Sequence, residues 1–117
     1  MSERIVDADE FAADIALVLR GIAAGAVTGP GRSGAVAGVY ASHLMGIPFI
    51  PFGQPCPDKL RPLLIVDTAR KSGRTLRKAE RRYGGACVVA WVFDEPPRIR
   101  FWYEIGHRTK SVKEPKA

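Results

Sequence analysis

The apolar positions of this chain fall into alternating helical and strand-like runs. Phe11, Ile15, Val18 and Ile22 recur at helical spacing behind Asp7 and Asp9, either of which can cap a first helix. Gly25 is placed to close that helix. Ala26-Val27-Thr28 then reads as a short strand, and 29–34 as a glycine-rich loop. A second helix is expected from about Gly34 to Met45, with Val36, Val39, Tyr40 and His43 on one side and Gly46 at its end. Pro48 to Phe52 is an apolar edge strand, limited by its prolines. Leu63 to Val66 is a continuous apolar run, the pattern of a buried parallel strand. A third helix runs from Gly73 or Arg74 to Tyr83 and stops at Gly84-Gly85. Ala86 to Phe93 is a second strongly apolar strand, Asp94-Glu95-Pro96-Pro97 turns the chain, and Ile99 to Tyr103 reads as a further strand. The order αβαββαββ implies an α/β fold: a three-layer sandwich around a mostly parallel central sheet.

The chain has 117 residues, enough for one domain with one core. No linker or repeat divides it, so 1–107 is read as a single domain and 108–117 as a basic, flexible tail. Apolar content of 46% and charged content of 26% lie in the globular range. The net charge of +6 fits an anionic partner, either phosphates on a small ligand or nucleic acid. From Ser33 to Pro57 no Lys, Arg, Asp or Glu occurs, which raises the question of a membrane span. His43, Gly46, Pro48, Pro51 and Pro55 interrupt that stretch, so helix, turn and strand are expected instead. The N-terminus is acidic and lacks the apolar core of a signal peptide, and Cys56 and Cys87 lack a CxxC spacing. These features predict a cytoplasmic protein with free thiols.

Two segments carry chemistry. In the first, LLIVDTARKSGRTL, the apolar strand ends in Asp67 and a short loop of small, hydroxyl-bearing residues opens a helix. Such a loop offers unpaired N–H groups and hydroxyls to an anion, and the acid beside it offers a carboxylate to a sugar hydroxyl. In the second, Gly29-Pro30-Gly31-Arg32-Ser33-Gly34 lies between a strand and a helix. Taken literally this is the G-x-G-x-x-G of a dinucleotide-binding turn, which requires an acid near the end of the next strand. That strand ends in Phe49-Ile50-Pro51-Phe52-Gly53, without one.

The first segment resembles the ribose-phosphate signature of the phosphoribosyltransferase family: an apolar strand, two adjacent acids, a spacer, then a Thr-Gly-Gly-Thr-like loop. Asp67 stands at the first acid, Thr68 where the second acid usually is, and Ser72, Gly73, Arg74 and Thr75 at the phosphate loop. The resemblance covers residues 25 to 104. It implies a phosphoribosyltransferase-like fold and transfer of a 5-phosphoribosyl group between pyrophosphate and a nucleobase, with magnesium as cofactor. It assigns the 5′-phosphate to Ser72, Gly73 and Thr75, with Ala69, Arg70, Lys71 and Arg74 around it, and the ribose to Asp67 and Thr68. The pyrophosphate falls to Gly31, Arg32, Ser33 and Gly34, with Asp67 and Arg32 as the catalytic pair and Asp67 as an indirect contact to magnesium. The Gly29-Pro30 bond is one where a cis form would cost little. Phe101-Trp102-Tyr103-Glu104 resembles the aromatic segment beside the base pocket of some purine enzymes of the family, so Trp102 or Tyr103 could stack on a base.

Other readings stay open. Thr68 in place of an acid, and only about ten residues from Gly53 to Pro62 where the family commonly carries a mobile hood, suit a non-catalytic nucleotide-binding relative. Arg70, Arg74, Arg77, Lys78 and Arg81 form a basic stripe that could mark a nucleic-acid-associated domain. No zinc spacing, no helix-turn-helix and no aromatics interleaved with the basic run support it, so a small phosphorylated ribose or nucleotide is the expected partner. Trp91 is expected in the core, His43 on an inward helix face, and exposed aromatics suggest a homodimer.

Overall fold

The structure, a computed structural model, describes residues 3–104. The elements in chain order are β1 (Glu3–Val6), α1 (Ala8–Leu19), β2 (Ala26–Thr28), α2 (Gly31–Met45), β3 (Leu63–Arg70), α3 (Arg74–Tyr83), β4 (Cys87–Asp94) and β5 (Arg98–Phe101). A single 3-10 turn, Asp58–Leu60, precedes β3. The tail from 108 to 117 and His107 lie outside the described residues.

β3 is the centre of a three-stranded parallel sheet in the order β2-β3-β4. Its registers are Thr28↔Ile65 on one side and Leu63↔Cys87 through Arg70↔Asp94 on the other. Leu63, Leu64, Ile65 and Val66 are all fully buried, as a strand covered on both faces requires. Leu64 and Val66 pack with Phe11 and Ile15 of α1 and Ala37 and Ala41 of α2. Leu63 and Ile65 pack with Leu76 and Ala79 of α3. Helices on both faces of a parallel sheet make the expected three layers. Burying each of these large side chains contributes about 1.5–3 kcal/mol.

The local chemistry accounts for the helix ends. The Asp7 carboxylate accepts the Glu10 N–H at 2.8 Å and caps α1. The first helix nevertheless ends earlier than its apolar spacing suggests. Leu19 is its last residue, and the left-handed position is Gly21 (φ 81°), not Gly25. Gly25 is required for another reason, since a Cβ there would lie 2.3 Å from the Leu60 carbonyl oxygen. α2 starts at Gly31, three residues before the expected start, so Arg32, Ser33 and Gly34 occupy its first turn. Its buried side is Gly34, Ala37, Gly38 and Ala41. Small residues let the helix sit close to the sheet, with Phe49 filling the space beside Gly38. Val39 and His43 are therefore exposed, which corrects the expected inward face.

Two strand expectations also change. Pro48–Phe52 makes one bridge, Val27↔Phe49, with Ile50 N–H donating to the Val27 carbonyl, and its prolines prevent a longer ladder. β5 ends at Phe101, and Trp102, Tyr103 and Glu104 turn into helix. β5 pairs in parallel with β1, an element with no signal in the sequence, because only Val6 of its four residues is buried. This two-stranded ribbon joins the main core through aromatic contacts: Phe11 meets Tyr40, Phe101 and Trp102 with ring centroids 5.1, 5.9 and 5.8 Å apart. None of the described helices is long and apolar enough to cross a membrane.

Candidate functional site

Because β2 and β3 are parallel neighbours, the turns that follow them open at the same edge of the sheet. The turn after β2 is tightly folded. A Cβ on Gly29 would lie 1.9 Å from the Gly34 carbonyl oxygen and 2.8 Å from that of Val66, so only glycine allows this approach to β3. Pro30 is the N-cap of α2 and offers no side-chain cap, leaving the first N–H groups of the helix unpaired by side chains. Among the described residues the cis peptide bonds are Arg61-Pro62, Glu95-Pro96 and Pro96-Pro97, so the Gly29-Pro30 bond is not cis.

The turn after β3 is shorter than its sequence suggests. The strand continues through Asp67, Thr68, Ala69 and Arg70, and only Lys71, Ser72 and Gly73 connect it to α3. Ala69 and Arg70 are thus strand residues and not loop residues. Gly73 caps α3 in the left-handed region (φ 82°), where a side chain would also strike Arg77. Ser72 Oγ accepts the Arg74 N–H at 3.2 Å. A cleft of about 210 Å³ opens here, lined by Asp67, Ala69 through Leu76, and Glu95. All of the residues assigned to the 5′-phosphate therefore surround one cavity, with Asp67 at its wall.

Arg70 enters this cleft braced from below. Its guanidinium carbon lies 3.9 Å from the centroid of the Trp91 ring, and Nη2 is 3.3 Å from Asp94 Oδ1, which also accepts the Trp91 indole N–H at 3.0 Å. Trp91 is accordingly half-buried under Arg70 at the edge of the core. Arg70 Nε is buried with no hydrogen-bond partner.

Asp67 Oδ1 accepts the Thr68 N–H at 2.7 Å. Burial pushes its carboxyl up to about 6, the hydrogen bond from Thr68 opposes that rise, and the nearby Glu95 charge adds to it. Glu95 comes from the tip of β4, where its N–H donates to the Arg70 carbonyl at 2.9 Å and its Oε2 accepts the Ile99 N–H at 2.9 Å. Sequence reasoning missed it. Its place in a turn between a strand and two prolines gave no hint that it would line the same cleft as Asp67.

A second cleft of about 540 Å³ lies against the glycine turn, lined by Arg32, Ser33, Val36, Tyr103 and Glu104. Ser33 Oγ and the Tyr103 hydroxyl are 2.7 Å apart. Burial raises the Tyr103 phenol above its ordinary value; the Ser33 hydrogen bond opposes this, and the side chain of Thr68 and the charge of Asp67 also reach it. Tyr103 thus ties the end of the described chain to the first turn of α2. Thr75 of the first cleft and Pro30 of the glycine turn also line one common groove. Arg32 and Ser72 therefore lie at one edge of the sheet, around neighbouring clefts. Trp102 does not line the second cleft, and its ring packs on Phe11 and Tyr40 instead.

The fold has solved counterparts. Helicobacter pylori xanthine-guanine-hypoxanthine phosphoribosyltransferase superposes with a TM-score of 0.72 at 13% identity, over 96% of this chain and 99% of that one. A purine phosphoribosyltransferase from Pyrococcus horikoshii superposes with a TM-score of 0.65 at 20% identity, over 100% and 98%. The fold is that of the phosphoribosyltransferases. The sequence matches no family model and no curated protein. The phosphoribosyltransferase fold is thus carried here by a sequence only 13% and 20% identical to these two enzymes.

Proposed function

We propose that this protein binds a phosphorylated ribose at the β2 and β3 tips and transfers a 5-phosphoribosyl group between pyrophosphate and a purine-type base. The observation that supports this reading is that the turns after β2 and β3 follow adjacent parallel strands and open at one edge of the sheet, with Asp67 on the wall of the β3 cleft. The names of the two solved counterparts supply the purine class of acceptor.

In this reading the 5′-phosphate sits at the N-terminus of α3. The Ser72 and Thr75 hydroxyls and the first-turn N–H groups that follow Arg74 face it, and the cations Arg70, Lys71 and Arg74 neutralise it. Asp67 accepts hydrogen bonds from the ribose hydroxyls. Arg32 and Ser33 receive the pyrophosphate, the Arg32 fork being suited to two phosphate oxygens. The bond from the anomeric carbon to pyrophosphate breaks as a base nitrogen bonds to that carbon. Positive charge grows on the ribose and negative charge on the leaving group, so catalysis is mostly positioning and charge stabilisation. Tyr103, which lines the second cleft, would border the base in this reading, while Trp102 packs on Phe11.

Among the described residues no group of three or more His, Cys, Asp or Glu is assembled to cage a metal. Asp67 and Glu95 on one cleft suit the other mode, in which magnesium keeps waters and substrate oxygens and meets one or two carboxylates. When bound, the ion supplies positive charge against the departing pyrophosphate. Asp67 would reach it through water.

The test is pyrophosphate release from phosphoribosyl pyrophosphate with hypoxanthine, guanine, xanthine or adenine present. Turnover with at least one base, abolished by Asp67→Asn, is expected. Tight binding of phosphoribosyl pyrophosphate with no turnover on any base would instead make the protein a nucleotide-binding relative, the reading favoured by Thr68 and by the short 53–62 connection.

A further inference from the structure

Apart from Arg74 at its start, the outer face of α3 has no place in the reaction above. Five of its ten residues are cations, Arg74, Arg77, Lys78, Arg81 and Arg82, and all five are exposed. Only Leu76 and Ala79 are buried. Among the described residues the ion pairs involve Arg4, Arg70, Arg98 and Arg100, so none of the five cations of α3 makes a close ion pair, and Glu80 is the one acid set among them. A solvated face needs neither this density of one sign nor its lack of compensation. Like charges at helical spacing repel and cost helix stability.

A second, independent feature lies beside it. Sequence alone shows no aromatic residue interleaved with the basic run, but the fold brings one there from another segment. Phe52 is 38% exposed, and its ring lies 5.8 Å from that of Tyr83, with the Arg82 guanidinium 5.7 Å from its centroid. The Tyr83 hydroxyl accepts the Gly53 N–H at 2.9 Å and ties this loop to the helix. Phe52, Lys78 and Arg82 border a groove of about 370 Å³ that also reaches Thr75 and Pro30.

We propose that the outer face of α3, with Phe52, binds single-stranded nucleic acid. Lys78, Arg81 and Arg82 follow one another along the helix and take successive backbone phosphates. Phe52 offers its open face to a base, and Arg82 beside it adds cation–π attraction. A folded duplex hides its base faces and cannot use Phe52, so the surface prefers an unpaired strand. The charge pattern favours a polyanion over an acidic protein, because the exposed aromatic ring adjoins cations and not an apolar patch. This surface borders the ribose-phosphate cleft at Thr75, but the residues tested below lie outside that cleft, and the proposal stands or falls without the phosphoribosyl reading.

The experiment is fluorescence anisotropy of the full chain with labelled 20-nucleotide oligouridine and oligothymidine, and with a duplex of equal length, across a potassium chloride series. Expected are binding of the single strands over the duplex and a fall of affinity with salt. Lys78→Glu with Arg81→Glu should weaken binding at least tenfold and flatten the log–log salt slope by about 1.4, two phosphates at roughly 0.7 each. Phe52→Ser should weaken single-strand binding about fivefold and leave duplex binding unchanged. Circular dichroism establishes that each variant is folded. No binding of either single strand at low salt, an equal or higher affinity for duplex, or full affinity in the Lys78→Glu, Arg81→Glu variant would each overturn the proposal.

Discussion

The Tyr103 hydroxyl and Ser33 Oγ stand 2.7 Å apart, joining the last described turn of the chain to the first turn of α2 across 70 positions of sequence. This bond closes the wall of the second cleft, and it occupies the very hydroxyl assigned to pyrophosphate. Tyr103→Phe should therefore cost about 1 kcal/mol of stability, a fall of roughly 4–8 °C in Tm, yet free Ser33 for an anion. Calorimetric titration with pyrophosphate should show unchanged or tighter binding for Tyr103→Phe and about fivefold weaker binding for Ser33→Ala. Equal weakening by both changes would mean that the pair acts as one anion ligand.

Asp67 governs two pH dependences of opposite sense. Its carboxyl is raised from 3.8 to about 6 by burial, so the folded state favours the protonated form. The associated stability is fully present below 3.8 and is lost as pH rises through about 6. At pH 7.5 the buried charge costs about 1–2 kcal/mol once its partial exposure is allowed for. Asp67→Asn should accordingly raise Tm at pH 7.5 and flatten the decline of Tm between pH 4 and 7. Binding of phosphorylated ribose needs the carboxylate as acceptor and should instead rise through about pH 6. Glu95→Gln removes a neighbouring negative charge and should shift both midpoints downward. Differential scanning fluorimetry and ligand titration across pH measure the two effects, and a midpoint unmoved in Glu95→Gln would separate Glu95 from Asp67.

The parts of this fold legible in the sequence are those set by neighbours along the chain. The apolar run at Leu63–Val66, the Asp7 cap, the left-handed stop at Gly46 and the strand–turn–helix around Ser72 each depend on a few consecutive residues. What was not legible depends on distant partners. β1 exists because β5 pairs with it from the other end of the chain, and three of its four residues are exposed, so it has no apolar pattern to read. The inward side of α2 is written in glycine and alanine, which a search for large apolar residues assigns to solvent. At the site, Asp67 and the phosphate turn were readable because they are contiguous. Glu95, Tyr103 and Phe52 were not, because strand register and loop docking bring them in from elsewhere.

Thr28, at the tip of β2, is fully buried and its Oγ1 has no hydrogen-bond partner. A desolvated, unpaired hydroxyl costs about 1–3 kcal/mol, and valine has the same shape without the polar atom. Thr28→Val should raise stability by about 1 kcal/mol, seen as a higher urea midpoint with an unchanged m-value. A loss of stability with weakened pyrophosphate binding would show instead that this hydroxyl serves the adjacent glycine turn.

Gly29 of that turn and Gly46 at the end of α2 offer the sharpest contrast between two kinds of glycine. At Gly46 (φ 66°) a Cβ would meet nothing within 4 Å, so alanine there is opposed only by backbone conformation, at about 1–2 kcal/mol. At Gly29 the conformation is ordinary, but a Cβ would overlap the backbone of Gly34 and crowd that of Val66. Neither obstacle is a side chain that can rotate away, so relief requires the turn to open from β3. Gly29→Ala should destabilise the protein by at least about 3 kcal/mol, above the usual range for single changes, or else survive folded with the turn displaced. In the second case pyrophosphate binding is lost while inorganic phosphate still binds at the β3 turn. Urea unfolding of both variants, with anion titrations of whichever remain folded, measures this difference. Equal small losses for Gly29→Ala and Gly46→Ala would mean that the turn does not lie against Val66.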